Sequence, residues 1–504
     1  MTIINSIITW VMQKRIHQIE LFMKYPHEVQ FDIFQRLIET AADTEFGRKY
    51  HFKEIKTARE FRERVPLHHY EDLFPYIDRM MKGERNILWP TEIKWFSKSS
   101  GTTNARSKFI PVSKEALDEC HFKGGKDLYS FYSNNYPDTH IFSGKGLAIG
   151  GTHQANEFDL NENSHYGDVS AVIMANLPFY AQLYRTPSLD IALMDEWEDK
   201  IEQMAQSTIQ DDVTHFLGVP TWTLVLLQRV LEITGKSHIK EVWPNLEAFV
   251  HGAVAFEPYE SSFNALIPKE GMHYMETYNA SEGFFGIQDQ KDSKDLLLML
   301  DYGIYYEFIP MEEWENEEPK TITLEDVELG KNYAMVISTN AGLWRYLIGD
   351  TVRFTSISPY RVRISGRTKH FINAFGEEVI VENADQAITV ACEATGAIMS
   401  NYTAAPIFLE VGVKGGHEWI VEFEKDPDDA QRFTEVLDQT LRKINSDYDA
   451  KRYKNIALEI PKVHVAPAGT FYKWMKNRGK LGGQHKVPRL SNKREYVEEI
   501  LKLL

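Results

Sequence analysis

From about residue 91 to 365, short apolar runs of strand length alternate with amphipathic stretches of helix length. That alternation specifies an α/β domain whose sheets are covered by helices. Gly146–Gly150 (GLAIG), Phe216–Pro220 (FLGVP) and Leu246–Val250 (LEAFV) are such runs. The second leads into a helix through Leu224–Ile233, and the third ends at His251-Gly252. Between 295 and 356, LLLML, YYEFIP, YAMVIST and LWRYLI read as consecutive strands of a small antiparallel sheet or barrel. The acidic stretch Met311–Glu318 between two of them reads as a solvated loop, not a metal site.

The flanks have a different texture. Residues 1–90 read as mainly helical, with Pro66 and Pro75 as breaks. Ile4, Ile7, Ile8, Val11, Ile16 and Ile19 recur at helical spacing, which predicts a helix packed on the body. After Gly366, His417–Glu424 (HEWIVEFE) alternates like a strand. A helix follows, with Phe433, Val436, Leu437, Leu441 and Ile444 on one face and Asp428-Asp429 as its cap. ALEI and KVHVAP are further strand candidates. The division expected is a large domain over 1–366 and a small, mobile α+β domain over 367–504, without internal repeats.

Charge narrows the possible partners. Over 504 residues, 56 Lys+Arg face 73 Asp+Glu, a net charge of −17. Such a surface repels phosphate backbones, so nucleic acid is not an expected partner, and a bound anion must be met by a local device. Only Cys120 and Cys392 are present, far apart and without a CxxC pair, which removes disulfide scaffolds and thiolate zinc sites. No window approaches the ~18 apolar residues of a membrane span. Ile3–Met12 lacks the basic flank and cleavage site of an export signal, so a cytoplasmic location is expected. No protein partner is evident.

Familiar nucleotide motifs fail. Gly235-Lys236-Ser237 resembles the end of a P-loop, but Val230 stands where its first glycine belongs, and the stretch follows a helix. Gly144-Lys145-Gly146 is followed by Gly150, one residue late for a dinucleotide fingerprint. There is no GxSxG elbow and no HExxH.

Four other stretches carry chemistry. Ser97–Pro111 (SKSSGTTNARSKFIP) offers the hydroxyls of Ser99, Ser100, Thr102 and Thr103 around Gly101, with the Lys108 charge nearby. A polyphosphate needs such donors in a short turn with a cation, though Ser/Thr-rich surface turns are equally common. In Tyr274–Gly286 (YMETYNASEGFFG), Glu282 is a carboxylate among small and aromatic residues, suited either to Mg²⁺ or to a cap or salt bridge. In Gly342–Val352 (GLWRYLIGDTV), Asp350 closes an apolar strand, where it could accept ribose hydroxyls or simply form a Gly-Asp turn. Gly366-Arg367-Thr368-Lys369, followed by Phe375-Gly376-Glu377, stands at the change of texture and is a candidate hinge.

Their order and spacing resemble the adenylate-forming superfamily of acyl-CoA synthetases, luciferases and peptide-synthetase activation domains. The chain is most similar to one branch, the auxin-responsive Gretchen Hagen family of acyl acid–amido synthetases. The chain is similar to that branch almost end to end: Phe61–Trp89 resembles its N-terminal portion, the YNASEG form of the second motif fits it, and GKLGGQHKVPRL at 479–490 resembles its tail. The resemblance implies an α/β adenylate-forming fold with ATP and Mg²⁺ as cofactors. Ser99, Ser100, Gly101, Thr102 and Thr103 would form the phosphate loop, closed by Lys108. Glu282 would bind Mg²⁺ beside Tyr278 and Ser281, and Asp350 would hold the ribose. Gly252-Ala253-Val254 would border adenine. Arg367 would touch the nucleotide from the domain junction. Lys486 would be the mobile catalytic lysine, with Lys480 as the competing choice. Two departures stand out: Ala105 replaces a common second glycine, and Leu347-Ile348 replace a polar pair for which Arg345 is the candidate compensation.

The activity implied is adenylation of a small carboxylic acid, then acyl transfer to an amino acid amine. An acyl-CoA ligase sharing the first half-reaction and a non-catalytic nucleotide-binding regulator are the alternatives.

Overall fold

The computed structural model describes residues 3–99, 108–151, 153–154, 164–194, 196–254, 256, 259–314, 316–368, 371–409, 414–453, 457–478 and 487–504. Helices Ile3–Lys24, Pro26–Ala41, Glu45–Lys49, Ala58–Arg64 and Tyr70–Met81 build the N-terminal region. Thr57 starts the fourth of these with a reciprocal cap, its side chain accepting from the Glu60 N–H while Glu60 accepts from the Thr57 N–H. Arg15 on the first helix bonds Asp127 at 2.9 Å and Asp301 at 2.7 Å, which fixes that helix to the body. Pro75 does not break a helix as expected. It lies inside Tyr70–Met81, where the buried Leu73, Ile77, Met80 and Met81 offset the hydrogen bond it removes.

In chain order the strands are β1 (Trp95–Ser99), β2 (Lys108–Val112), β3 (Lys145–Ala148), β4 (His153–Gln154), β5 (His165–Gly167), β6 (Arg185–Thr186) and β7 (Val213–Gly218). Then come β8 (Ala248–His251), β9 (His273–Ala280), β10 (Gly283–Ile287), β11 (Leu296–Leu298), β12 (Ile304–Pro310), β13 (Ile322–Thr323) and β14 (Asn332–Thr339). The last are β15 (Tyr346–Ile357), β16 (Tyr360–Arg367), β17 (Phe371–Ile372), β18 (Val379–Ile380), β19 (Ile398–Ile407), β20 (Gly416–Lys425) and β21 (Lys462–Ala466).

One small sheet has the order β2-β1-β5-β4, and a large one runs β13-β12-β14-β15-β16-β11-β10-β9-β8-β7-β3-β6. Strands β6, β3, β7, β8 and β9 pair in parallel, as crossover helices such as Pro220–Thr234 require. From β9 to β13 every pairing is antiparallel. The strands expected over 295–356 are therefore the antiparallel half of the same sheet. Within LWRYLI the strand begins only at Tyr346, because Arg345 takes a left-handed φ of 43°. Gly235 caps the helix Pro220–Thr234 in left-handed conformation, so the rejected P-loop is a helix terminus.

After residue 367 the chain forms the β17-β18 ribbon and the β19-β20-β21 sheet, with helices Val381–Thr395 and Ala430–Ile444. Asp429 caps the second helix, accepting from the N–H groups of Gln431 and Arg432. ALEI is not a strand; Leu458 makes only an isolated bridge to Gly415. β20 is buried on both faces, so Glu418 lies inside and is held by Arg494, His464 and Lys462.

Candidate functional site

Ser99 ends β1 directly opposite Lys108 at the start of β2, so the intervening loop is closed at its base by strand pairing. Ser100, Gly101, Thr102 and Thr103 lie outside the described residues, as do Ala105, Lys480 and Lys486. The loop's stem is tied inward, because Ser97 Oγ donates to Ser281 Oγ at 3.0 Å.

Ser281 and Glu282 are the two-residue turn between β9 and β10, whose flanking residues Ala280 and Gly283 pair. A turn this short projects Glu282 from a rigid hairpin. The Tyr346 hydroxyl stands 3.4 Å from Glu282 Oε1, and Lys108 Nζ stands 3.5 Å from the same hydroxyl. The loop cation and the turn carboxylate thus face each other across one phenol. Burial pushes the Glu282 carboxyl above the usual range, and Lys108 partly pulls it back. Burial likewise lowers the Lys108 ammonium, against the attraction of Glu282.

Asp350 lies on β15 opposite Arg367 on β16. Its Oδ2 accepts from the Tyr278 hydroxyl at 2.6 Å and its Oδ1 from Arg367 Nε at 2.7 Å. Gly349, at φ 92°, supplies the left-handed kink just before Asp350, a backbone state that glycine adopts without strain. The Arg367 guanidinium also pairs with Glu378 and lies 5.2 Å over the Phe371 ring. Tyr346 thus links Lys108 to Glu282 and Asp350 links Tyr278 to Arg367, and the two sets are close enough that the charges of Asp350 and Arg367 act on Glu282.

Gly252-Ala253-Val254 follows β8, whose His251 pairs with Glu276 of β9, so this turn lies beside Thr277 and Tyr278. A Cβ on Gly252 would come within 2.5 Å of the Thr277 carbonyl oxygen, and Ala253 has φ 69°. At Gly252 the backbone is packed too closely for a side chain.

Arg345 does not compensate for Leu347-Ile348. Its guanidinium bonds Glu307 at 3.0 and 3.1 Å, Thr321 at 2.8 Å and the Val65 carbonyl at 2.6 Å, so it is spent on the core. The sequence reading assigned no role to Tyr346, Ser97 or Glu378. Tyr346 and Ser97 lie inside the motifs, but partners 64 to 238 positions away leave no local signal.

Among the described residues no group of three or more His, Cys, Asp or Glu could hold a metal ion. A lone carboxylate such as Glu282 still fits Mg²⁺, which keeps several waters and takes other ligands from phosphates. No described helix is long and apolar enough to cross a membrane.

Comparison with known proteins identifies the family and the fold. The GH3 family N-terminal domain matches residues 15–272, the GH3 family central domain 297–367 and the GH3 family C-terminal domain 382–495. Glu282 and Glu378 fall between the matched stretches. Indole-3-acetic acid-amido synthetase GH3.3 of Arabidopsis thaliana is 23% identical over 94% of this chain and 91% of its own. Jasmonoyl–L-amino acid synthetase JAR4 of Nicotiana attenuata is also 23% identical, over 94% of this chain and 92% of its own. Among solved structures, GH3.15 acyl acid amido synthetase has a TM-score of 0.61 at 17% identity, covering 97% of this chain and 96% of that one. A 2-hydroxyisobutyryl-CoA ligase has a TM-score of 0.59 at 13% identity, covering 95% and 92%. Both share the adenylate-forming fold.

Proposed function

The chain belongs to the GH3 family, carrying all three of its domains in order, and on that premise we propose that it is an ATP-dependent acyl acid–amido synthetase. The observation that carries the reading is the convergence of four separate motifs, with Lys108 and Glu282 on one side and Asp350, Tyr278 and Arg367 on the other.

A carboxylate is a poor electrophile. Its attack on the α-phosphorus of ATP forms an acyl-adenylate and releases pyrophosphate; an amino acid amine then attacks the acyl carbon and AMP leaves. The residues of this chain position charge rather than form bonds. Ser99, Ser100, Gly101, Thr102 and Thr103 donate to the phosphates, and Lys108 neutralises them. Asp350 accepts from the ribose, steadied by Tyr278, and the Gly252–Val254 turn borders adenine. Glu282, next to Ser281, would hold Mg²⁺, which supplies charge stabilisation on the phosphates when bound. Arg367 contacts the nucleotide from the junction. Lys486, in preference to Lys480, reaches the acyl-phosphate region.

Residues 1–366 form the large domain and 367–504 a small one that turns about 366–370 between half-reactions and shelters the adenylate from water. The reading places the enzyme in the cytoplasm, where ATP and amino acids are supplied; the unbridged Cys120 and Cys392 suit that compartment.

Carboxylate-dependent exchange of pyrophosphate into ATP tests the first half-reaction, with Glu282→Ala expected to lower it about a hundredfold or more. Full exchange in that variant defeats the metal assignment. Mass spectrometry of products formed with amino acids or with coenzyme A tests the second; a thioester without amide makes the chain an acyl-CoA ligase.

A further inference from the structure

The turn at residues 373–378 is braced far more heavily than a connector needs. The Glu377 carboxylate accepts from the N–H groups of Ala374 at 3.2 Å and Phe375 at 2.6 Å, and bonds His417 Nε2 at 2.8 Å inside the core. Asn445 Nδ2 donates to the carbonyls of Glu377 at 3.0 Å and Glu378 at 3.1 Å. From the other side of the junction, the Tyr259 hydroxyl donates to the Ala374 carbonyl at 2.6 Å. The product of this bracing is one residue in an unusual state. Glu378 has φ 37°, in the left-handed region that residues with a Cβ rarely adopt. Strained backbone of this kind persists only where its surroundings over-determine it, and it gathers at functional sites.

The Glu378 side chain is buried and meets the Arg367 guanidinium, whose Nε already bonds Asp350. Asp350 alone balances the arginine's charge, so the second carboxylate contributes direction: two acceptors at different edges fix the plane of a guanidinium that one acceptor leaves free to turn. The Phe371 ring, 5.2 Å beneath the guanidinium, completes the seat.

We propose that Glu378 is a positioning residue for nucleotide binding. Held by the 373–378 turn, its carboxylate sets the Arg367 guanidinium against Asp350, so that the arginine meets the nucleotide in one orientation. Affinity for the nucleotide is thereby linked to the seating of the C-terminal segment on the rest of the chain. This rests on the reading of the site as nucleotide-binding.

The test is calorimetric titration of the full chain with AMP, which needs no turnover, on wild type, E378A, E378Q and E378D. E378A is expected to weaken AMP binding about tenfold, and E378D to recover to within about threefold of wild type. A residue that only stabilises the fold would lower the melting temperature and leave AMP affinity unchanged, which would overturn the proposal. Tighter AMP binding in E378A would overturn it too, making Glu378 a competitor for the arginine. Should E378A fail to fold, E378Q, which keeps the volume and one acceptor oxygen, carries the comparison. A wild type that binds AMP but exchanges pyrophosphate with no carboxylic acid defeats the synthetase reading and leaves the Glu378 comparison standing. Absence of AMP binding by the wild type defeats both.

Discussion

The Tyr278 hydroxyl donates to Asp350 at 2.6 Å although β9 and β15 have three other strands between them in the sheet. Strands four steps apart in a flat sheet lie about 19 Å from each other. The antiparallel half must therefore bend strongly, although β13 remains an edge strand of one open sheet rather than part of a separate barrel. The fold uses that curvature to carry a donor to the candidate ribose carboxylate.

Tyr278→Phe removes one donor from a buried carboxylate, a loss of about 1–2 kcal/mol. The KM for ATP in pyrophosphate exchange should rise about fivefold to tenfold. Asp350→Ala should raise it further, and the double variant should be no worse than Asp350→Ala alone, since the hydroxyl acts through the carboxylate. Additive losses would place Tyr278 in an independent role.

Activity should fall on the acid side at higher pH than an ordinary glutamate would dictate. Glu282 must be ionised to attract a cation, and its pKa is raised by burial, with Lys108 pulling against the shift. Because a bound cation favours the ionised form, raising Mg²⁺ should move the acid limb to lower pH. Pyrophosphate exchange measured across pH at two Mg²⁺ concentrations checks this; a limb indifferent to Mg²⁺ would remove Glu282 from metal binding.

Stability of the C-terminal region should fall in acid for a separate reason. Burial alone would raise the Glu418 pKa, but bonds from Arg494, His464 and Lys462 outweigh it and hold the group at about 2. A depressed carboxyl stabilises the fold above its unfolded pKa, and that contribution is lost as pH drops from about 4.5 towards 2. Glu418→Gln should cost about 2 kcal/mol at neutral pH and flatten this acid dependence in thermal melts.

Gly252→Ala would force a Cβ to within 2.5 Å of the Thr277 carbonyl oxygen. Backbone cannot yield cheaply there, so the turn should shift and stability fall by about 1–3 kcal/mol. Weaker AMP binding than in Gly125→Ala, where a Cβ meets nothing within 4 Å, would locate the turn at the nucleotide.

Much of the local structure was legible. Asp429 before an amphipathic run announced a helix, and the alternating runs through Leu147, Phe216 and Phe249 fell on parallel strands. Pro75 misled because propensity weighs a missing N–H but not the five buried side chains on the same helix. ALEI misled because a short apolar run fits any buried segment. Arg345 misled for another reason: proximity in sequence to the Gly-Asp motif says nothing of where a long side chain points, and its left-handed backbone turns it into the core.

The order of the motifs and the chemistry of their side chains were settled by the linear chain, since periodicity, caps and turn residues act over a few positions. Which groups meet was decided by tertiary structure alone. Tyr278 reaches Asp350 across 72 positions, and Lys108 approaches Tyr346 across 238. Such contacts depend on strand register and sheet curl, where a slip of one residue turns every side chain to the opposite face.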